Sequence, residues 1–70
     1  MVRIAVTSST IVSIGYDHES SSLEVEFKNG TIYAYSGVPT AIYDGMMKAD
    51  SQGRYLNANV KDRFPYRRVR

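Results

Sequence analysis

The fold is decided by a stretch that reads Leu23-Glu24-Val25-Glu26-Phe27-Lys28-Asn29-Gly30-Thr31-Ile32-Tyr33-Ala34-Tyr35. Apolar and polar side chains alternate before and after Asn29-Gly30, which is typical of two half-buried strands. Asn-Gly between two such runs is a strong signal for a β-hairpin, because a two-residue type I′ turn needs positive φ at both central residues. The stretch therefore predicts an antiparallel hairpin.

A two-residue loop would also fix the register of this hairpin. It pairs Lys28 with Thr31, and each step outward adds one pair. The pairs on the predicted core face are Phe27–Ile32 and Val25–Ala34. The pairs on the opposite face are Glu26–Tyr33 and Glu24–Tyr35. We therefore expect two tyrosines to lie beside two carboxylates, with the tyrosines packed under the helices rather than exposed as a stacking platform.

The segments on either side of the hairpin add one strand and two helices. Residues 10–16 are rich in β-branched side chains and predict a strand, followed by a polar loop over residues 17–22. Pro39 suits the first position of a helix. The tetrapeptide 50–53 ends that helix and caps a second one over residues 54–61. Residues 66–69 either return as a fourth strand or remain an ordered tail.

Strands followed by helices predict an α+β fold. We expect one domain over residues 1–70, built as a three-stranded antiparallel meander with two short helices packed on one face and an optional fourth, C-terminal strand. A domain of this size buries only about 60% of the surface of its unfolded chain. The chain has no cysteine, which excludes disulfides, thiolate zinc sites and cysteine nucleophiles.

Several functional classes find no support in the sequence. No apolar run has the length of a membrane span or of a signal-peptide core, so we expect a cytoplasmic protein that engages no membrane. Phosphate-binding loops, dinucleotide fingerprints and nucleophile elbows are absent from the sequence. His18 is the single histidine, and with Asp17 and Glu19 it makes a weak metal site. We predict no enzymatic activity, no metal and no cofactor.

Basic charge is concentrated at the C-terminal end of the chain. Residues 54–70 contain six Lys or Arg and one acid, a net of +5, whereas residues 1–53 contain three bases and six acids, a net of −3. Cations neutralise phosphates and aromatic rings stack on bases, so this segment predicts contact with nucleic acid. The expected binding residues are Arg54, Tyr55, Lys61, Arg63, Tyr66, Arg67 and Arg68, with Phe64 as a further stacking side chain.

Other interpretations of this segment stay open. The arginines could keep the protein soluble, pair with its own Glu24 and Glu26, or grip an acidic surface of a protein partner. The motif Ser51-x-Gly53-x-Tyr55 could bind phosphate at a helix start, but a simple helix cap is favoured. Helical spacing puts Tyr55 beside Leu56 and Val60 on the side that meets the core, so Tyr55 could be structural.

A set of short segments carries a family resemblance, because they follow one another in a fixed order along nearly the whole chain. The segments are Val6-Thr7-Ser8-Ser9-Thr10-Ile11, Gly15-Tyr16-Asp17, residues 23–30, Tyr33-Ala34-Tyr35, Val38-Pro39, residues 49–55 and residues 64–69. Together they resemble the KTSC domain, a short domain found alone in bacterial and phage proteins and at the C-terminus of some lysyl-tRNA synthetases. Asp50 and Leu56 depart from the family pattern, which often has proline and an aromatic residue there. The resemblance implies RNA as the partner and makes residues 54–70 part of the folded domain.

Overall fold

Five strands and two helices make up the computed structural model, which describes residues 2–70. The strands are β1 (Arg3–Ala5), β2 (Ile11–Asp17), β3 (Ser22–Phe27), β4 (Ile32–Tyr35) and β5 (Tyr66–Arg68). The helices are α1 (Thr40–Lys48) and α2 (Gln52–Asn59). Neighbouring strands are antiparallel, in the order β1-β2-β3-β4-β5. The α+β class is confirmed.

The predicted strand count was too low. The optional C-terminal strand exists as β5, which pairs with β4 at one edge of the sheet. The strand that the sequence did not reveal is β1, which pairs with β2 at the other edge. It has only three residues, so it is too short to show an alternating pattern.

The loop between β3 and β4 differs from the predicted two-residue turn. Three residues, Lys28, Asn29 and Gly30, connect the strands, and the Phe27 N–H donates to the carbonyl of Thr31 over 2.9 Å. Within this loop the positive φ belongs to Gly30 alone, at 91°. This is the three-residue hairpin, in which a type I turn is followed by a left-handed glycine. The predicted type I′ turn is therefore wrong.

The longer loop shifts the register of the hairpin by one residue. Val25 lies opposite Tyr33 and Leu23 lies opposite Tyr35, whereas the prediction paired Val25 with Ala34 and Tyr35 with Glu24. Because side chains alternate between the two faces of a strand, this shift moves both tyrosines of β4 to the face that also carries Val25 and Leu23. The predicted pairing of the tyrosines with Glu24 and Glu26 is wrong, since these carboxylates point to the opposite face.

Both helices pack on the face that carries the two tyrosines, which we call the helix side. The buried core residues are Ile11, Ile14, Leu23, Val25, Tyr35, Val38, Met46, Leu56 and Val60. Pro39 is the N-cap of α1, so the helix begins at Thr40, one residue later than predicted. Ser51 caps α2 as expected, because its Oγ accepts from the Arg54 N–H over 3.3 Å. Within residues 2–70 neither helix has the length and apolarity needed to cross a bilayer.

The opposite side of the sheet, the outer face, carries a chain of polar contacts. Arg3 forms an ion pair with Glu24, and its Nε donates to the Ser13 Oγ over 3.2 Å. Ser13 donates in turn to Glu26 over 2.9 Å. A terminal nitrogen of Arg70 reaches the other oxygen of Glu26, also at 2.9 Å. These contacts neutralise the two carboxylates and connect strands at both edges of the sheet.

The left-handed backbone of the hairpin loop can be tested at Gly30. A Cβ at this position meets no atom within 4 Å, so the cost of Gly30→Ala is conformational alone. We expect the free energy of unfolding to fall by about 1–2 kcal/mol, as measured by urea denaturation.

Gly30→Asn is the matched control, because asparagine tolerates positive φ better than alanine does. It should lose clearly less stability than Gly30→Ala. Equal losses for the two variants would contradict the left-handed assignment.

Candidate functional site

Four aromatic side chains form a cluster on the helix side, where β3, β4 and β5 meet. Tyr33 contacts Phe27 edge to face at 5.7 Å between ring centroids, and it contacts Tyr66 in the same way at 5.3 Å. Tyr66 also lies 5.6 Å from Tyr35, its partner in the β4–β5 ladder. Tyr35 is 4% exposed and belongs to the core, whereas Tyr66 is 59% exposed. The cluster therefore extends from the core to an open ring at the sheet edge.

A cavity of about 410 Å³ lies between this cluster and α2. We call it the aromatic cavity; its lining includes Tyr33, Tyr66, Leu56, Asn57, Lys61 and Asp62. A second cavity of about 380 Å³ adjoins it and shares Phe27, Asn29, Leu56 and Asn57. Small-molecule sites usually measure about 300–1,000 Å³, so the aromatic cavity is large enough for a flat ring system.

Hydrogen-bonding groups reach the aromatic cavity from the hairpin loop and from α2. Asn29 accepts two bonds from Thr31 on its Oδ1, one from the backbone N–H at 3.0 Å and one from the hydroxyl at 2.7 Å. Its amide nitrogen is left as a donor. Asn57 is exposed and lines both cavities. The cavity thus combines apolar walls with a small number of polar groups, as ligand sites do.

Electrostatic coupling links the acid of the cavity to the aromatic cluster. Burial raises the pKa of the Tyr35 hydroxyl, and the neighbouring Tyr33, Tyr66 and Asp62 raise it further. A hydroxyl whose pKa is raised stays protonated at neutral pH and keeps its ability to donate a hydrogen bond. Asp62 is the smallest of these causes and acts in the same direction as the others.

The basic residues of β5 point to opposite sides of the sheet. Arg68 lies opposite Tyr33 in the ladder and so projects on the helix side, next to a residue that lines the aromatic cavity. Arg67 lies opposite Ala34 and projects on the outer face. Lys61 lines the cavity itself. Among residues 2–70, none of these three cations forms an ion pair.

The remaining predicted cations lie on α2 and just after it. Arg63 donates from its Nε to the carbonyl of Ala58 over 3.1 Å, so it satisfies a carbonyl at the C-terminal end of α2. Arg54 is exposed in the first turn of α2, one helical turn before Asn57. The predicted cations therefore do not share one face: Lys61 lines the cavity, Arg68 projects on the same side of the sheet, and Arg67 projects on the outer face.

Pairing of the C-terminal arginines with the protein's own acids is confined to one residue. Arg70 binds Glu26, while Glu24 is held by Arg3. Arg54, Lys61, Arg63, Arg67 and Arg68 do not take part in the ion pairs found within residues 2–70. The self-pairing alternative thus applies to Arg70. Arg63 and Arg68 use their Nε atoms in bonds to backbone carbonyls, and the terminal nitrogens of both lie outside those two bonds.

Tyr55 has a packing role. It is half-buried against the core, and its ring lies against Gly45 of α1. A Cβ built on Gly45 would come 2.8 Å from the Tyr55 Cζ and closer still to its hydroxyl oxygen, so the glycine makes room for the ring. Tyr55 is therefore turned towards α1, and Tyr66 is the more accessible ring for stacking.

His18 takes part in local packing. The ring is exposed and meets Tyr16 edge to face at 4.9 Å, while Tyr16 also stacks on Tyr43 at 4.9 Å. No group of three His, Cys, Asp or Glu residues suited to a metal ion occurs in the part of the chain that the structure describes.

Sequence reasoning missed most of the cavity walls. Phe27 and Tyr33 line the cavity together because the register of the hairpin differs from the predicted one. In the sequence Asn29 has the character of a turn residue, and Asp62 stands out only as the one acid in a basic segment. The sequence carries no signal for the tyrosine wall, because Asn-Gly fits loops of two or three residues and the three-residue loop is the one that brings both tyrosines to the helix side.

Residues 7–64 of this chain match the KTSC domain. The chain belongs to the KTSC domain family. The crystal structure of a KTSC domain protein from Yersinia pestis superposes with a TM-score of 0.93 at 38% identity, covering 99% of this chain and 97% of that one. The resemblance seen in the sequence segments is thereby confirmed.

Relatives of this KTSC domain occur both alone and within a larger protein. An uncharacterized protein from Stutzerimonas stutzeri is 44% identical over 61 residues, which are 87% of this chain and 86% of that protein. A lysine–tRNA ligase from Nostoc punctiforme is 28% identical over 61 residues, 87% of this chain but 11% of the ligase. The family match indicates no catalytic class.

The packing of Tyr55 on Gly45 gives a test of its structural role. In an unconstrained helix Gly45→Ala would add about 1 kcal/mol of stability. Here the added methyl group meets the tyrosine ring, so we expect a net loss of about 1–3 kcal/mol in the free energy of unfolding.

Tyr55→Leu provides the matched background, because it removes the atoms that the methyl group would meet. In that background Gly45→Ala should be neutral or stabilising, which a double-mutant cycle measures. The same loss of stability in both backgrounds would show that the cost of the added methyl group does not come from its contact with the Tyr55 ring.

Proposed function

We propose that this KTSC domain binds single-stranded RNA on the helix side of β5, with an unpaired base in the aromatic cavity. The observation that carries the proposal is one exposed tyrosine, Tyr66, in the wall of a cavity that Lys61 also lines, with Arg68 on the same side of the sheet. Aromatic stacking on unpaired bases is the common mode of sequence-tolerant single-strand binding, and it contributes about 1–3 kcal/mol per base.

Cations on this side would hold the phosphates that flank the stacked base. Lys61 and Arg68 have no acidic partner among residues 2–70, so no internal ion pair has to break when a phosphate binds. The terminal nitrogens of Arg63 are a third candidate, since only its Nε is used at the end of α2. Arg54 would extend the track at the start of α2. Arg67, on the outer face, contributes less.

A purely structural role exists for the two arginines of β5. Charged side chains on an edge strand protect it against pairing with another chain. That role accounts for Arg67 and Arg68 equally well. It accounts neither for the open ring of Tyr66 nor for the cavity behind it, and these favour a ligand.

A relative also supports RNA as the partner. The lysine–tRNA ligase from Nostoc punctiforme contains a segment similar to this chain, and that enzyme is named for a reaction with tRNA. A domain that adds a contact to RNA would suit that ligase. RNA binding would also suit the cytoplasmic setting that the sequence leads us to expect.

An acidic protein surface is the alternative partner. The same cations would attract it, since electrostatic complementarity steers either ligand. An acidic side chain, however, makes no use of a cavity walled by Phe27, Tyr33 and Tyr66, whereas a flat base does. The cavity therefore favours RNA.

We also propose that the domain is not an enzyme. Its polar cavity groups include amides, a lysine and one carboxylate, with no histidine or serine among the lining residues of the aromatic cavity. The cavity is open to solvent rather than closed around a reacting group, which fits a binding role.

The proposal is tested by salt titration with a labelled, mixed-sequence single-stranded RNA, followed by fluorescence anisotropy. The logarithm of the association constant should fall linearly with the logarithm of salt concentration. Removing one cation that binds a phosphate should flatten the slope by about 0.7, so Lys61→Gln combined with Arg68→Gln should flatten it by about 1.4. Tyr66→Leu should weaken binding without changing the slope, because the ring carries no charge.

Arg67→Gln is the matched control, since it removes the same charge from the neighbouring position on the outer face. It should change the slope much less than Arg68→Gln. Absence of binding at low salt would refute the proposal. Equal effects of Arg67→Gln and Arg68→Gln would show that RNA does not bind specifically on the helix side.

A further inference from the structure

Asp62 is an unexpected component of a surface that meets phosphates. It lies between Lys61 and Arg63 in the sequence and lines the aromatic cavity. It forms no ion pair with any residue in the range 2–70, so the adjacent cations do not explain it. A free carboxylate there repels phosphates and can accept hydrogen bonds from a ligand.

Asp62 has an unusual backbone conformation. Its φ is 66°, in the left-handed region that non-glycine residues rarely adopt, although aspartate and asparagine adopt it most readily. This conformation follows the end of α2, where the chain turns towards β5. Asp62 also contributes, as the smallest of four causes, to the raised pKa of the Tyr35 hydroxyl.

The cavity offers acceptors and donors from different elements. An ionised carboxylate is purely an acceptor, and its two oxygens can bind two adjacent N–H groups. The hairpin loop supplies the opposite character, because the Oδ1 of Asn29 is occupied by Thr31 and its amide nitrogen remains a donor. Asn57 and Lys61 add donors from α2 and the turn after it.

We propose that the aromatic cavity selects guanine, with the Asp62 carboxylate accepting from its N1–H and N2–H groups. This inference rests on the proposed function, since it names the base that the RNA places in the cavity. Guanine has two adjacent donors on its Watson–Crick edge, which match the two carboxylate oxygens. Its O6 and N7 atoms are acceptors and suit the donors of Asn29, Asn57 or Lys61.

The other bases fit this arrangement less well. Adenine and cytosine each present one amino group beside a ring nitrogen that accepts, and this acceptor would face a carboxylate oxygen. Uracil presents one N–H between two carbonyl oxygens. In each of these bases an acceptor lies against Asp62, which costs free energy when water is excluded. A charged bidentate pair is stronger than a neutral hydrogen bond, so the difference favours guanine.

The test measures binding of four RNA hexamers that differ in a single base. Five positions are uridine, and one central position is guanosine, adenosine, cytidine or uridine. We expect the guanosine hexamer to bind about tenfold more tightly than the others, the range of one good bidentate contact. Asp62→Asn should reduce this preference to about twofold while affinity for the other three hexamers stays equal or rises.

Asparagine at position 62 keeps the left-handed backbone accessible, so the folded state should be preserved. The matched control is Asp44→Asn, which makes the same change in charge at an exposed position of α1 away from the cavity. This variant should keep the preference for guanosine.

The outcomes separate the two proposals. If all four hexamers bind equally to the unchanged protein, the guanine assignment is overturned and RNA binding stands. If none binds, both fall. A guanosine preference that survives Asp62→Asn removes Asp62 from the site. Free guanosine monophosphate should compete only weakly, because it lacks the flanking phosphates. If it competes as strongly as the hexamer, the ligand is a free nucleotide and the proposal of an RNA strand is wrong.

Discussion

The register of β3 against β4 is the constraint on which the rest of this structure depends. It is set by a loop of three residues, of which Gly30 takes the left-handed conformation. A loop shorter by one residue would exchange the two faces of β4, because side chains alternate along a strand. Tyr33 and Tyr35 would then lie beside Glu24 and Glu26, and the aromatic cavity would have no tyrosine wall.

The same register separates the charges of the domain. Glu24 and Glu26 point to the outer face, where Arg3, Ser13 and Arg70 satisfy them. These contacts are partly exposed, so each contributes little to stability. The larger consequence is that of the register, which keeps two carboxylates away from the helix side, where Lys61 and Arg68 lie with the tyrosines. The surface proposed for RNA therefore depends on Glu24 and Glu26 being held on the outer face.

The fold class could be predicted from the sequence because its signals are local. Alternation defined three strands, Ser51 marked the start of α2, and the order of elements indicated α+β. The register could not be predicted, since Asn-Gly fits loops of two or three residues and the choice depends on packing against the helices. β1 was missed because a three-residue strand shows no period.

The candidate site was predicted only in part, for a related reason. Charge counting found the basic segment, but residues 67 and 68 are adjacent in sequence and project from opposite faces of β5. Tyr55 and Tyr66 are both tyrosines in that segment, and only the tertiary structure distinguishes the ring packed on Gly45 from the one that is 59% exposed. The position of Asp62 in the cavity wall likewise depends on the tertiary structure.

The claim that the helix side of β5 is the binding surface is tested most directly by NMR. Backbone and aromatic resonances of the domain would be followed during titration with a short single-stranded RNA. We predict that the largest shifts occur at Tyr33, Tyr66, Asn57 and Lys61, around the aromatic cavity. Shifts centred on Arg3, Arg67 and Arg70 of the outer face, with the tyrosine signals unchanged, would contradict this claim.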